Sequence, residues 1–409
     1  MKTLNQSKAH VISPPTLFPS AVPTHSCTEP LRGSFKRILI AAGLATAVTA
    51  PAWATQLPDV VVSQSAGNTA MGTDAPVSLT AGASNTEAGS VLAARDSDEA
   101  VDPEPVALPN WRALMAQTST PAEGCFHASY PNIVWERVDC KIGQPRVRPV
   151  HVKPADDELE VTGNGNDYVA KATGLITLAS GGFAIKGVTS EKGVGVAEYK
   201  DAGTLGPNEY TVQLNTNDKL TTSACAGHSG CTVWQQFVYS PDYLVEGKAE
   251  VFMQYWLLGW GSSGCPRGWT KPKGSTDCVK NSLYAEAPDL PITDLGKVAL
   301  EGTASAGGND SVLFTYGSDA YSITGKDSVL DISSVWNKAE FNVVGNGGGS
   351  RADFNSGSSI TVTLLLFDGS TSAPTCVANN GTTGESNNLN LGTCAAFSGI
   401  PNIQFTESN

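Results

Sequence analysis

Histidine and methionine are scarce in this 409-residue chain, at five and four residues, and no Cys-x-x-Cys occurs. Past residue 54 the histidines are His127, His151 and His228. That supply excludes the usual zinc ligand sets, and no metal or cofactor is expected. His228 sits in a short loop between Cys225 and Cys231, without the serine and aspartate spacing of a catalytic triad. The glycine-rich stretch 345–350 lacks the lysine of a phosphate-binding loop and opens no helical pattern, so it reads as a wide turn. Basic residues are also short, 26 Lys and Arg against 39 Asp and Glu, for a formal charge of −13. A surface of that sign excludes nucleic acid and anionic membranes as partners. No apolar run is long enough for a membrane span.

The longest apolar run, Ile38 to Val48, follows Lys36 and Arg37 and precedes Ala52-Trp53-Ala54. That order predicts an export signal over 35–54, with a 34-residue extension before it and cleavage ahead of Thr55. The expected location is secreted or extracytoplasmic. Five Lys and Arg and one acid fall within 1–54, so the remainder carries about −17. Residues 55–120 are mostly Ser, Ala, Thr, Gly, Asp and Pro and read as a disordered linker or a cleaved prosegment. One short helical pattern breaks them at 110–117, with Trp111, Leu114 and Met115 on one side. Residues 121–157 read as a small cysteine-closed unit followed by a basic, proline-rich strip. Such a strip suits either a pro-peptide lying across an acidic groove or a plain linker.

Loss of Cys27 with the signal leaves eight cysteines, an even set that reads as disulfides in an exported chain. Proximity favours Cys125–Cys140, Cys225–Cys231, Cys265–Cys278 and Cys376–Cys394. From 158 to 409 there is no sustained 3.6-residue period. Short β-branched and aromatic runs such as YTVQLNT (210–216), VWQQFVY (233–239) and ITVTLLLF (360–367) alternate with Gly, Asn and Ser turns. The expected fold is all-β, one large antiparallel sandwich.

Two strand-like segments carry the candidate chemistry. In AEVFMQYWLLGW (249–260), alternation places Phe252, Gln254 and Trp256 on one face and Val251, Met253 and Tyr255 on the other. In KAEFNVVG (338–345), Glu340 and Asn342 oppose Ala339, Phe341 and Val343. A glutamate on a sheet face needs a partner. If Glu340 meets Gln254 across a groove, the pair supplies a base and a hydrogen-bond donor without serine, cysteine or metal.

FMQY around Gln254 and AEF around Glu340 resemble, in order and separation, the segments of the glutamic peptidases (eqolisins). That family carries its glutamine in an LQTG-like segment and its glutamate in an AEW segment. VWQQFVY also resembles the strand before the family's glutamine, and the likeness spans roughly residues 205–370. Phe341 stands where the family has tryptophan, and Tyr255-Trp256 where it has Thr-Gly. The resemblance implies a concanavalin-like sandwich, secretion as a zymogen, and acid endopeptidase activity on polypeptide substrates. Glu340 would then be general base and acid, and Gln254 the oxyanion donor. Phe252 and Trp256, on the Gln254 face, would line the substrate groove. Two other readings stand beside it. One is a non-catalytic sandwich binding glycan or protein on an aromatic concave face. The other is a glycosidase pairing Glu340 with Glu250.

Overall fold

The computed structural model describes residues 107–143, 167–195, 203–242, 247–346, 350–378 and 385–409. The expected export signal, residues 55–106 and most of the basic strip (144–157) lie outside them. The described chain is all-β apart from one helix and short 3-10 turns. Its period-two runs become strands whose apolar positions point inward. In Ser359–Phe367, for example, Ile360, Val362, Leu364 and Leu366 are buried while their neighbours are less so.

Two nine-stranded sheets hold most of the strands. The front sheet runs, edge to edge, through Thr375–Ala378, Tyr168–Lys171, Lys338–Gly345, Tyr210–Asn215, Thr232–Ser240, Ala249–Leu258, Leu283–Ala287 and Lys141–Ile142. Cys278–Asn281 also pairs with Ala249–Leu258. The back sheet runs through Glu136–Val138, Gly124–Ser129, Asp319–Lys326, Asn309–Tyr316, Val298–Thr303, Leu178–Lys186, Ser359–Phe367, Asn402–Ser408 and Asn390–Phe397. Pairing in both is antiparallel. A four-stranded sheet of Ser386–Asn387, Arg351–Phe354, Glu191–Gly195 and Gly203–Pro207 completes the fold.

The core fills the space between the large sheets. Val251, Met253 and Tyr255 enter it from one front strand, and Ala339, Phe341 and Val343 from another, as their alternation predicts. Two glycines make the fit possible. The Phe341 ring lies where a Cβ on Gly181 would be, at 2.3 Å, and the Phe237 ring does the same at Gly302, at 2.4 Å. The sheets thus interlock by aromatic knobs set over bare backbone.

All four disulfides join the neighbours that sequence proximity favours. Cys125–Cys140 ties a back-sheet strand to the chain entering the front-sheet edge strand Lys141–Ile142, and Cys376–Cys394 ties the opposite edge strands of the two sheets. Both seams of the sandwich are therefore closed covalently. The other two bridges hold the loops at one end of the paired strands Thr232–Ser240 and Ala249–Leu258.

Two expectations change. The cysteine-closed segment after residue 121 does not stand apart, because Gly124–Ser129 pairs with Asp319–Lys326 and Lys141–Ile142 with Leu283–Ala287. Its partners are almost 200 and over 140 residues away, so local sequence could not show them. The helix runs over Ala107–Gln117, and it buries Trp111 and Met115 against Phe126 and Ala128 on the back sheet's outer face, leaving Leu114 exposed.

Candidate active site

The front sheet's outward face is polar. Register sets it out as rows, since residues paired across neighbouring strands share a face. Glu340 pairs with Asn215, Asn215 with Gln236, Gln236 with Gln254, and Gln254 with Asn281. One carboxyl and four side-chain amides thus cross five strands in line. A second row beside it holds Asn342 and Gln213.

Hydrogen bonds knit the rows together. Gln236 Nε2 donates to Gln213 Oε1 at 2.9 Å and to Asn215 Oδ1 at 3.0 Å. Gln213 Nε2 donates to Thr211 Oγ1 at 2.9 Å. Trp256 Nε1 donates to both Gln236 Oε1 and Gln254 Oε1, at 3.0 and 2.9 Å. Gln254 Nε2 donates to Asn281 Oδ1 at 2.9 Å. An amide nitrogen has two hydrogens, so Gln254 keeps one beyond that bond, whereas Gln236 commits both. The network fixes each amide's orientation.

Gln254 and Glu340 share a face and a row, yet the structure does not bring them face to face. Two strands intervene, which is three strand spacings or roughly 14 Å at the backbone. Asn215 and Gln236 are the nearer amides. Both were passed over in the sequence, although alternation was the signal for each: Thr211, Gln213, Asn215 in YTVQLNT, and Trp234, Gln236, Val238 in VWQQFVY.

Nor do the expected aromatic walls border an open groove. Phe252 is 1% exposed and packs on Val238 and Tyr284. Trp256 is 6% exposed and stacks on Trp234, with ring centroids 5.9 Å apart. The Trp234 indole N–H is buried and has no hydrogen-bond partner.

Glu340 is covered too, at 1% exposure. Asp167, wholly buried, lies against it, and burial pushes the Asp167 carboxyl up from the usual carboxylate range. Val169, two residues on, pairs with Glu340, which is how the strand Tyr168–Lys171 delivers Asp167 to that face. Glu407 adds a third carboxyl nearby. Burial pushes it up to about 8, and Asn387 Nδ2 donates to it at 3.2 Å. Asp167 and Glu407 come from distant stretches of chain with no local pattern to mark them.

Glu250 occupies the Gln254 face four residues along the same strand. Relative to Glu340 it is displaced by three strands and four residues, roughly 20 Å at the backbone. Glycosidase carboxyl pairs stand about 5 to 9.5 Å apart. The Glu340–Glu250 pairing is therefore dropped.

One Ser-His-Asp set does occur, at the back-sheet edge. Ser129 Oγ donates to Asp319 Oδ1 at 2.7 Å, and His127 Nε2 lies 2.9 Å from the same oxygen. Serine and histidine both engage the aspartate rather than one another, so this is no nucleophile relay. Among the described residues no cluster of His, Cys, Asp and Glu is arranged to hold a metal, and no helix is long and apolar enough to cross a membrane. The second statement leaves strand-crossing barrels aside.

No family model, no curated protein and no solved structure matches the chain. The likeness to glutamic peptidases rests on the short segments quoted above.

Proposed function

We propose that this chain is a secreted acid endopeptidase in which Glu340 is the catalytic carboxyl. The observation that carries this reading is the row itself: Glu340 heads a line of oriented side-chain amides on one sheet face. Glu340, as carboxylate, takes a proton from water while the water oxygen attacks the scissile carbonyl carbon. An amide N–H of the row receives the negative charge that develops on the carbonyl oxygen. Glu340 then returns the proton to the leaving amine as the C–N bond breaks. Asn215, paired directly with Glu340, is the amide nearest that oxygen, in place of Gln254, and Gln236, with both hydrogens committed, orients it.

Acid operation has independent support. Nine Asp and Glu are buried among the described residues, and no Lys, Arg or His is. Burial pushes Glu191, Glu301, Asp310 and Glu407 up to about 8 each. An interior of this kind suits surroundings in which carboxyls are neutral.

The test is digestion of a denatured protein at about pH 3–4 in the presence of serine, cysteine and metal inhibitors. Folded Glu340→Gln should be inert. Asn215→Ala should lower kcat about a hundredfold, Gln236→Ala less because it acts only by orienting Asn215, and Gln254→Ala less than tenfold. Equal cleavage by wild type and Glu340→Gln would sink the mechanism.

A second reading is favoured by the cover over Glu340, by its separation from Gln254, and by the stacked Trp234–Trp256 pair with its unpartnered indole N–H. Stacked indoles beside amides suit a sugar ring, so the alternative is a glycan-binding face. Inert wild type that binds oligosaccharide, and loses binding on Trp234→Ala, would establish it.

A further inference from the structure

A second acidic pair lies between the two large sheets, away from the amide row. Asp310, on the back strand Asn309–Tyr316, and Asp327, in the turn Asp327–Val329, are both buried. Asp310 pairs with Gly325, and Asp327 N donates to Gly308 O at 3.2 Å, so the two carboxyls lie side by side at the shared end of neighbouring back-sheet strands. Their oxygens are held from several directions. Gln235 Nε2, from the front sheet, donates to Asp310 Oδ2 at 3.1 Å, and Ser305 N donates to Oδ1 at 3.3 Å. Ser333 donates through N and Oγ to the two oxygens of Asp327, at 3.1 and 2.8 Å.

Two buried carboxyls side by side are accommodated with a proton on one of them, which can donate to the other. With that proton gone, two anions share a buried contact. The surrounding groups offer no cation to offset them. Tyr255, from the front sheet, lies within the field of Asp310 and is itself pushed toward the neutral phenol, chiefly by burial. Met253 Sδ accepts weakly from Gln235 Nε2 at 3.9 Å. Glu123 also acts on Tyr255 and is anionic when ionised. Lys326, adjacent in the chain, is exposed. Buried like charges at contact cost far more than the same pair in water.

We propose that Asp310 and Asp327 form a proton-sharing latch between neighbouring back-sheet strands at their shared end, closed in acid and released when the shared proton is lost near neutrality. The sign follows from linkage. A carboxyl held protonated in the fold stabilises it fully below the unfolded value and ceases to do so as pH rises through the folded one. Burial, then the charge of Asp327, pushes Asp310 up to about 8. Its contribution therefore declines from about pH 4 to about pH 8. The latch is independent of catalysis and can be read on inactive Glu340→Gln protein.

The experiment compares urea unfolding of the full chain, wild type against Asp310→Asn, at intervals from pH 4 to 9. Asparagine retains the acceptor for Gln235 and a donor toward Asp327 but has no proton to lose. Across that window the folding constant of the variant should fall about tenfold less per pH unit than that of wild type. Asp327→Asn should flatten the dependence only in part, because the burial of Asp310 remains, and the double variant should match Asp310→Asn. Identical pH dependence in wild type and both single variants would overturn the proposal. Failure of both to fold even at pH 4 would also overturn it, because the pair would then be a fixed structural contact.

Discussion

Alanine placed at Gly181 should destabilise the protein, whereas alanine at the next residue should not. Gly181 is pinned between two strands, paired with Leu300 on one side and Leu364 on the other. An added Cβ would lie 2.3, 2.3 and 2.4 Å from three atoms of the Phe341 ring. Carbon atoms prefer about 3.5–4.0 Å, so the ring would have to retreat by about 1.3 Å. It has little room, being wholly buried and stacked on Phe183 at 4.7 Å. Overpacking of this kind costs about 2–3 kcal/mol. Exchanging glycine for alanine in a strand returns about 0.5–1 kcal/mol, which leaves Gly181→Ala about 1–2.5 kcal/mol less stable. At Gly182 the nearest atom to an added Cβ is Val298 O at 3.8 Å, so alanine there should be neutral or stabilise by about 0.5–1 kcal/mol. The assay is urea unfolding at acid pH, with the midpoint shifting at constant slope. Phe341→Leu should recover part of the loss in Gly181→Ala. Because Phe341 adjoins Glu340, Gly181→Ala should also lower turnover, and Gly182→Ala should not. A Gly181→Ala protein as stable as Gly182→Ala would refute the reasoning, since the ring would then have a second place to go.

Three further outcomes follow from other parts of the molecule. Glu301, buried on the outer face of the back sheet opposite Leu313 and pushed up to about 8 by burial, stabilises the fold in acid and loses that contribution from about pH 4.5 to about 8. Glu301→Gln should flatten that part of the stability curve, measured by thermal melting at stepped pH. Replacing Cys376 and Cys394 together by serine should cost about 3 kcal/mol in urea unfolding, the usual figure for a loop of this length. Gln254→Ala removes a partner of the Trp256 indole and of Asn281, so the Trp256 environment should change in the fluorescence spectrum without loss of fold.

The faces of the strands were legible because alternation is local. Met253 and Phe341 point inward and Gln254 and Glu340 outward, as period two requires. The disulfides were legible because each joins cysteines close in sequence. The amide row was not, because it exists only once register aligns four separate strands. Gln213 and Gln236 lie 23 residues apart and nothing between them shows that they will bond. Asp167 reaches Glu340 across more than 170 residues of chain, and Glu407 approaches from within the last described strand. Burial was the least legible property. A polar face with these residues reads as a solvated groove, yet its side chains pack on one another and shut solvent out.

The seam bridges also bear on how such a chain assembles. Antiparallel sheets built from distant segments fold slowly, because large loops must close before any contact forms. Cys125–Cys140 and Cys376–Cys394 close intervals of only 15 and 18 residues, yet each joins one sheet to the other. They are short-range links with a long-range effect. An oxidant acting early would hold the two margins of the sandwich at their final spacing before the central strands have found their partners. Refolding with these bridges intact should then be a search for register inside a frame of correct width. Reduced chains would have to find width and register together, with unpaired strand margins open to one another for the duration.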